Sequence, residues 1–260
     1  MATLAGQLAR SSHAYPTKSA LVFGETERTY RQLDEEVNQY AHALAALGVT
    51  KGDRVALMSG NSDVFVIAMY ATFRLGAVFV PLNPRATSHE LRHLLTDSGA
   101  SVLLLGAGMM PVVEGLADHD PIAPAPQMLG LDASTGLPSL PEKAAGQPTT
   151  APNVVVAEDD DCMILYTSGT TGLAKGALFD HHRLLWVGHS VASLGTTGAD
   201  RHLHVAPLYH CAQLVLLLLN GMSVGASHVI LPGFRTHRRG RRHRTAPGSP
   251  CSSACPPCTS

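Results

Sequence analysis

Met163-Ile-Leu-Tyr166 leads directly into Thr167-Ser-Gly-Thr-Thr-Gly-Leu-Ala-Lys-Gly176, an apolar strand followed by hydroxyls and glycines that end in one cation. Gly169, Gly172 and Gly176 let the backbone turn tightly and bring its N–H groups close to an anion. Thr167, Ser168, Thr170 and Thr171 add neutral donors, and Lys175 adds a point charge, a combination suited to a polyphosphate. It is not a Walker A loop, because Lys175 stands three residues after Gly172 and is followed by Gly176 instead of Ser or Thr. The composition alone also fits an ordinary surface loop, so the surrounding segments have to decide.

Upstream, helical and strand-like segments alternate in short units. A helix is expected over 31–47, with Leu33, Val37, Tyr40, Leu44 and Leu47 at helical spacing. Thr29 and Gln32 fit a capping box at its start and Gly48 a cap at its end. Strands follow at 54–58, 77–80 (closed by Pro81) and 101–105, with helices at 63–75 and 88–97 between them. Downstream, strands are expected at 162–166, 177–179, 202–206 and 228–231. Strand–helix alternation of this kind implies α/β architecture, mostly parallel sheets flanked by helices.

Two segments break the pattern. Seven prolines fall between Pro121 and Pro152, which reads as a surface linker holding one short strand near 128–131. The expected organisation is a first α/β subdomain over 1–120, the linker over 121–152, and an incomplete second α/β subdomain with the glycine-rich loop over 153–234. Residues 235–260 contain no Leu, Ile, Val, Met, Phe, Tyr or Trp, so they cannot build a core and are expected to be a disordered tail.

The whole-chain averages conceal this division. The 260 residues carry a net charge of −1, but the tail alone holds six arginines and no acid, leaving −7 on residues 1–234. A charged fraction of 15% excludes a long polyampholyte, and near-neutrality argues against a dedicated nucleic-acid binder. Two of the five cysteines, Cys162 and Cys211, lie in the body, which is no disulfide framework and suits a reducing, cytoplasmic compartment. No apolar run approaches the ~20 residues of a membrane-spanning helix. Cys251, Cys255 and Cys258 have iron–sulfur spacing, but only two residues follow them, and cluster binding is not expected. His202 and His204 alternate in a strand without an apparent third ligand and read as structural.

The string 166–176 closely resembles the signature loop of the AMP-forming adenylating superfamily, which includes acyl-CoA synthetases, luciferases and nonribosomal peptide adenylation domains. Ala174 stands where that pattern has proline. Further matches follow the family order: Thr29-Tyr30 with Leu33, Gly52-Asp53-Arg54-Val55-Ala56 with Asn61, and Gly76-Ala77-Val78 leading to Pro81-Leu82-Asn83-Pro84-Arg85. Glu90-Leu91, Asp97-Ser98, His181 and Pro207-Leu208-Tyr209-His210 continue it.

The resemblance, covering about 5–234, implies a fatty-acid–CoA ligase type of enzyme. Such an enzyme activates a carboxylate with ATP to acyl-AMP and transfers it to coenzyme A. It further implies that Thr167, Ser168, Gly169, Thr170, Thr171, Gly172 and Lys175 hold the β- and γ-phosphates, that Thr167 touches Mg²⁺, and that His210 lines the carboxylate entrance. Lys175 and His210 are thereby the expected catalytic residues.

The motifs that bind adenine and ribose in that family, and the lysine that drives adenylation, do not occur in this sequence. The chain is therefore expected to be the N-terminal half of the adenylate-forming fold, with a tail of out-of-frame character. The alternative reading is a catalytically inactive remnant, truncated or frameshifted, that at most binds nucleotide phosphates or a partner. An incomplete second sheet is also expected to leave apolar surface uncovered near 214–219 and 229–231, favouring aggregation.

Overall fold

The alternating segments assemble into two β-sheets in the computed structural model, which describes residues 3–167, 173–192 and 195–233. The expected tail lies outside the described residues.

A six-stranded sheet has the order β6 (Gln127–Gly130), β5 (Val102–Leu105), β3 (Arg54–Met58), β4 (Val78–Leu82), β7 (Asp161–Thr167) and β8 (Lys175–Asp180). Every neighbouring pair is parallel except the β7–β8 hairpin. A four-stranded sheet has the order β2 (Thr26–Thr29), β1 (Ser19–Phe23), β10 (Ser227–Ile230) and β9 (Arg201–His204). Here β1 and β9 run parallel to β10, while β2 is antiparallel to β1.

Both sheets take strands from each side of the proline-rich segment, and that segment itself supplies β6. The reason is geometric: a parallel partner must be reached by a crossover, so sequence order and sheet order separate.

Helices cover the sheets where the sequence gives them an apolar face and a stop. α1 (Leu4–Ala14) precedes β1, and α2 (Tyr30–Ala46) opens with the capping box of Thr29 and Gln32. α3 (Asp63–Arg74) touches both β1 and β4 and buries Phe65 through Phe73 without a break, as a helix that is apolar all round must. Its Phe65 and Phe73 meet Phe79 of β4 edge to face. α4 (Ser88–Ser98) has a second capping box, Thr87 with Glu90, and ends at Gly99 with φ +60°. Short helices α5 (Met110–Glu114) and α6 (Leu140–Ala144) follow, then α7 (His181–Ala192). A wider-wound helical segment, Ala212–Leu219, then continues into α8 (Asn220–Val224).

The strands of the six-stranded sheet are apolar on both faces because both are covered. Val55, Leu57, Phe79 and Leu104 face the core shared with α3, whereas Met58, Val80, Leu82, Leu103 and Leu105 face α4.

Two local expectations are corrected. Pro81 lies inside β4, opposite Leu57, and does not close the strand. The recorded pairing of β4 with β7 is confined to Phe79↔Met163, so a residue without an N–H is accommodated beyond it. The apolar run 214–219 is not left uncovered either: Leu214, Val215, Leu218 and Leu219 are buried, and Leu217 is 40% exposed. α7, α8 and β9 supply the cover. In β10 Ile230 is fully buried, and only Leu231 beyond it is exposed.

Candidate functional site

The β7–β8 hairpin pairs Tyr166 with Gly176 and Thr167 with Lys175, so the glycine-rich loop leaves and re-enters the sheet at one point. Ser168, Gly169, Thr170, Thr171 and Gly172 lie outside the described residues. Thr167 and Lys175, the two ends, are both exposed, and among the described residues the Thr167 hydroxyl reaches the Lys175 carbonyl, at 3.5 Å. Gly176 is required for the hairpin itself: a Cβ there would stand 2.8 Å from Ile164 Cγ2 and 3.2 Å from the Tyr166 ring.

α4 braces both ends of the loop. The Tyr166 hydroxyl donates to Asp97 Oδ2 at 2.7 Å, just before the loop, and His93 Nε2 bonds the Ala174 carbonyl at 2.9 Å, just after it. Burial and the neighbouring Asp97 carboxylate hold the Tyr166 phenol well above its ordinary pKa, so it stays a donor. Neither His93 nor the Asp97–Tyr166 pair was assigned a role from sequence, because 81 and 69 residues separate the partners.

His210 sits across the cleft on a turn whose position is set by Asn61. The Asn61 amide donates to the carbonyls of Ala206 (2.9 Å) and Leu231 (3.2 Å), and its Oδ1 accepts from Leu208 N–H at 2.8 Å. All three bonds come from one buried side chain. His210 Nδ1 accepts from Ala212 N–H at 3.4 Å, which places the ring proton on Nε2. Cys211 beside it is a free thiol whose pKa desolvation raises, so it is no ready nucleophile.

These groups line one cleft of about 740 Å³, among them Tyr166, Thr167, Ala174, Tyr209 and His210. The cleft thus joins Thr167 to His210, while Lys175 stands outside its lining. His181 does not take part: it is fully buried, accepts from Leu4 N–H at 3.3 Å and packs edge to face on Phe73. Burial lowers its pKa to about 4, and it is neutral.

The sequence model of the family described as AMP-binding enzyme matches residues 8–246. The chain belongs to the AMP-binding enzyme family. It is 35% identical over 212 residues to a long-chain-fatty-acid–CoA ligase, FadD13, of Mycobacterium tuberculosis, covering 81% of this chain and 41% of that protein. It is likewise 35% identical over 227 residues to a feruloyl-CoA synthase of Amycolatopsis, covering 86% and 43%. The N-terminal domain of FACL13 from M. tuberculosis superposes with a TM-score of 0.84 at 33% identity, over 90% of this chain and 58% of that one. The α/β architecture is therefore that of the N-terminal domain of AMP-binding enzymes. The chain spans about two fifths of the length of these curated relatives. Among the described residues no helix is long and apolar enough to cross a membrane.

Proposed function

We propose that this chain carries the polyphosphate-binding and carboxylate-entry part of an AMP-forming acid–CoA ligase. The observation that carries the reading is the shared cleft: Thr167 at the mouth of the glycine-rich loop and His210 line the same space. In that chemistry a carboxylate oxygen attacks the α-phosphorus of ATP, pyrophosphate leaves, and the thiol of coenzyme A then displaces AMP from the acyl-adenylate.

The chain's own part is electrostatic. Thr167, Ser168, Gly169, Thr170, Thr171, Gly172 and Lys175 donate to the β- and γ-phosphates, and Lys175 offsets charge on the departing pyrophosphate. Its exposed position, outside the cleft lining, suits a group that meets the outer phosphates. The exposed Thr167 hydroxyl is a neutral oxygen ligand whose bond to the Lys175 carbonyl is long, and it fits Mg²⁺ as a hard-ligand site. Mg²⁺ there would supply Lewis-acid neutralisation of phosphate charge. His210 orients the carboxylate through Nε2–H and is not a base, since the carboxylate is already ionised at neutral pH.

The substrate is a carboxylic acid, and the FadD13 relative favours a fatty acid. The segments 1–120, 121–152 and 153–234, as stretches of sequence that build two shared sheets, the separate tail over 235–260 and a cytoplasmic setting belong to the same proposal, the last supported by two body cysteines that are both free.

Carboxylate-dependent ATP–pyrophosphate exchange tests the enzyme reading, and a signal abolished by Lys175→Ala supports it. Absence of exchange together with ATP binding that Lys175→Ala weakens would leave phosphate binding without catalysis. Absence of both would refute the site.

A further inference from the structure

β9 and β10 lie side by side in parallel, with His202 opposite His228 and His204 opposite Ile230. His202 and His204 are two residues apart and so project from one face of β9, and His228 projects from the same face of β10. The rings are clustered: His202 and His228 centroids are 5.3 Å apart, and His204 stacks on His228 at 5.1 Å. One ligand nitrogen from each of the three lies within 4.8 Å of those of the other two. His204 and His228 are fully buried, while His202 is half-buried and opens toward solvent. His228 was missing from the sequence reading of this pair because the two strands meet only in the fold.

The hydrogen bonding among the rings is incomplete. His204 Nε2 and His228 Nδ1 share one proton at 2.8 Å, and the Gln213 side-chain amide bonds His204 Nδ1. The other nitrogen of His228, Nε2, is buried beside the Gly221 backbone and has no hydrogen bond of good geometry. Gly221 stands over the cluster, and any larger residue would intrude, since a Cβ there would be 2.9 Å from both His202 Nδ1 and His228 Nε2. Two buried imidazoles and a half-buried third, one nitrogen poorly satisfied and a glycine packed over them, are more than strand packing needs.

We propose that His202, His204 and His228 form a binding site for a borderline divalent d-block cation of the Zn²⁺ class. Imidazole nitrogen is the matching donor, and three histidines leave a fourth position open on the His202 side. The facing nitrogens of His204 and His228 need to part only from 2.8 Å to about 3.3 Å to flank an ion bound at ~2.0–2.1 Å. The protons balance without any co-reactant. The His204 proton moves from Nε2 to Nδ1, and Gln213 turns its amide so that Oε1 accepts it. Gln213 thereby holds the ligand tautomer from outside the coordination shell. The site is independent of the phosphate loop, so its fate and that of the ligase reading are separable.

The experiment uses the full chain with Cys251→Ser, Cys255→Ser and Cys258→Ser, so that tail thiols do not take the ion. After chelator treatment, Zn²⁺ is titrated against a chromophoric competitor, and Co²⁺ is added in parallel to read ligand type from its visible spectrum. The expected result is one equivalent of Zn²⁺ per chain, a Co²⁺ spectrum without thiolate bands, and a melting temperature raised by the metal. His202→Asn, at a half-exposed position, should keep the metal-free melting temperature and weaken binding by more than about tenfold, the least that loss of even an outer partner costs. His228→Asn should abolish binding; if it fails to fold, His202→Asn decides alone. No stoichiometric binding by the parent, or unchanged affinity in His202→Asn, overturns the site.

Discussion

A methyl group on Gly176 would press on Ile164 Cγ2 at 2.8 Å, and strand β8 has no room to retreat while it is paired with β7. Gly176→Ala is expected to destabilise the chain by about 1–3 kcal/mol through overpacking. The measurement is a lower urea midpoint at unchanged slope. Asn61→Ala acts differently, since it leaves the buried Leu208 N–H without its partner and releases the carbonyls of the exposed Ala206 and Leu231. A loss of about 1–3 kcal/mol is expected from the unpaired N–H, and ATP–pyrophosphate exchange, where present, should fall because the His210 turn loosens. His181 sets a pH dependence. Its folded-state pKa of about 4 lies below the unfolded value near 6.5. Between those values the unfolded chain binds a proton that the folded chain refuses. Its contribution is therefore full above pH 6.5 and is lost as pH falls toward 4, by up to about 3 kcal/mol. Urea melts at pH 7.5 and 5 should show this loss, and His181→Gln should remove the His181 share while the buried His204 and His228 keep theirs; an equal loss in the variant would rule the residue out.

At the scale of elements, α4 carries the most specific prediction. His93→Ala and Asp97→Ala each remove one tether of the glycine-rich loop, and Asp97 is exposed, so global stability should change little. Pyrophosphate binding, measured by calorimetry, should weaken in both and fall further in the double variant. Unchanged affinity in the double variant would show that the loop holds its shape alone. The start of α2 was readable because it opens on a capping box, a signal contained within four residues, and α4 was readable from its apolar spacing. β3, β7 and β10 were readable from short apolar runs. α1 and the β1–β2 hairpin were not predicted: the face α1 buries mixes Leu4, Ala5 and Leu8 with Gln7 and Ser11, and β2 is Thr-Glu-Arg-Thr with no buried residue. In the site, Thr167, Lys175 and His210 came from a local string, whereas the Asn61 bonds and the α4 tethers depend on contacts between distant segments. Sequence spacing carries no information about those contacts.

For the whole molecule, the placement of β10 between β1 and β9 makes the last described strand a central one. A chain ended at residue 226 is expected to lose cooperative thermal unfolding, since β1 and β9 would both lose their parallel partner. Retention of a sharp melt would mean that the six-stranded sheet and α3 suffice. The buried run 214–219 also bears on the expected aggregation: α7 and α8 cover it from within the chain, and the exposed apolar side chains among the described residues include Trp186, Leu203, Leu217 and Leu231.

The same strand arrangement has a consequence in time. Leu21 pairs with His228, and the hairpin that carries Leu21 is synthesised well before that partner. Its partner strand emerges 207 residues later, roughly 10–40 s at ordinary rates of synthesis. Throughout that interval one edge of β1 is an unpaired template, and the nascent chain depends on α1, α2 and α3 to shield it.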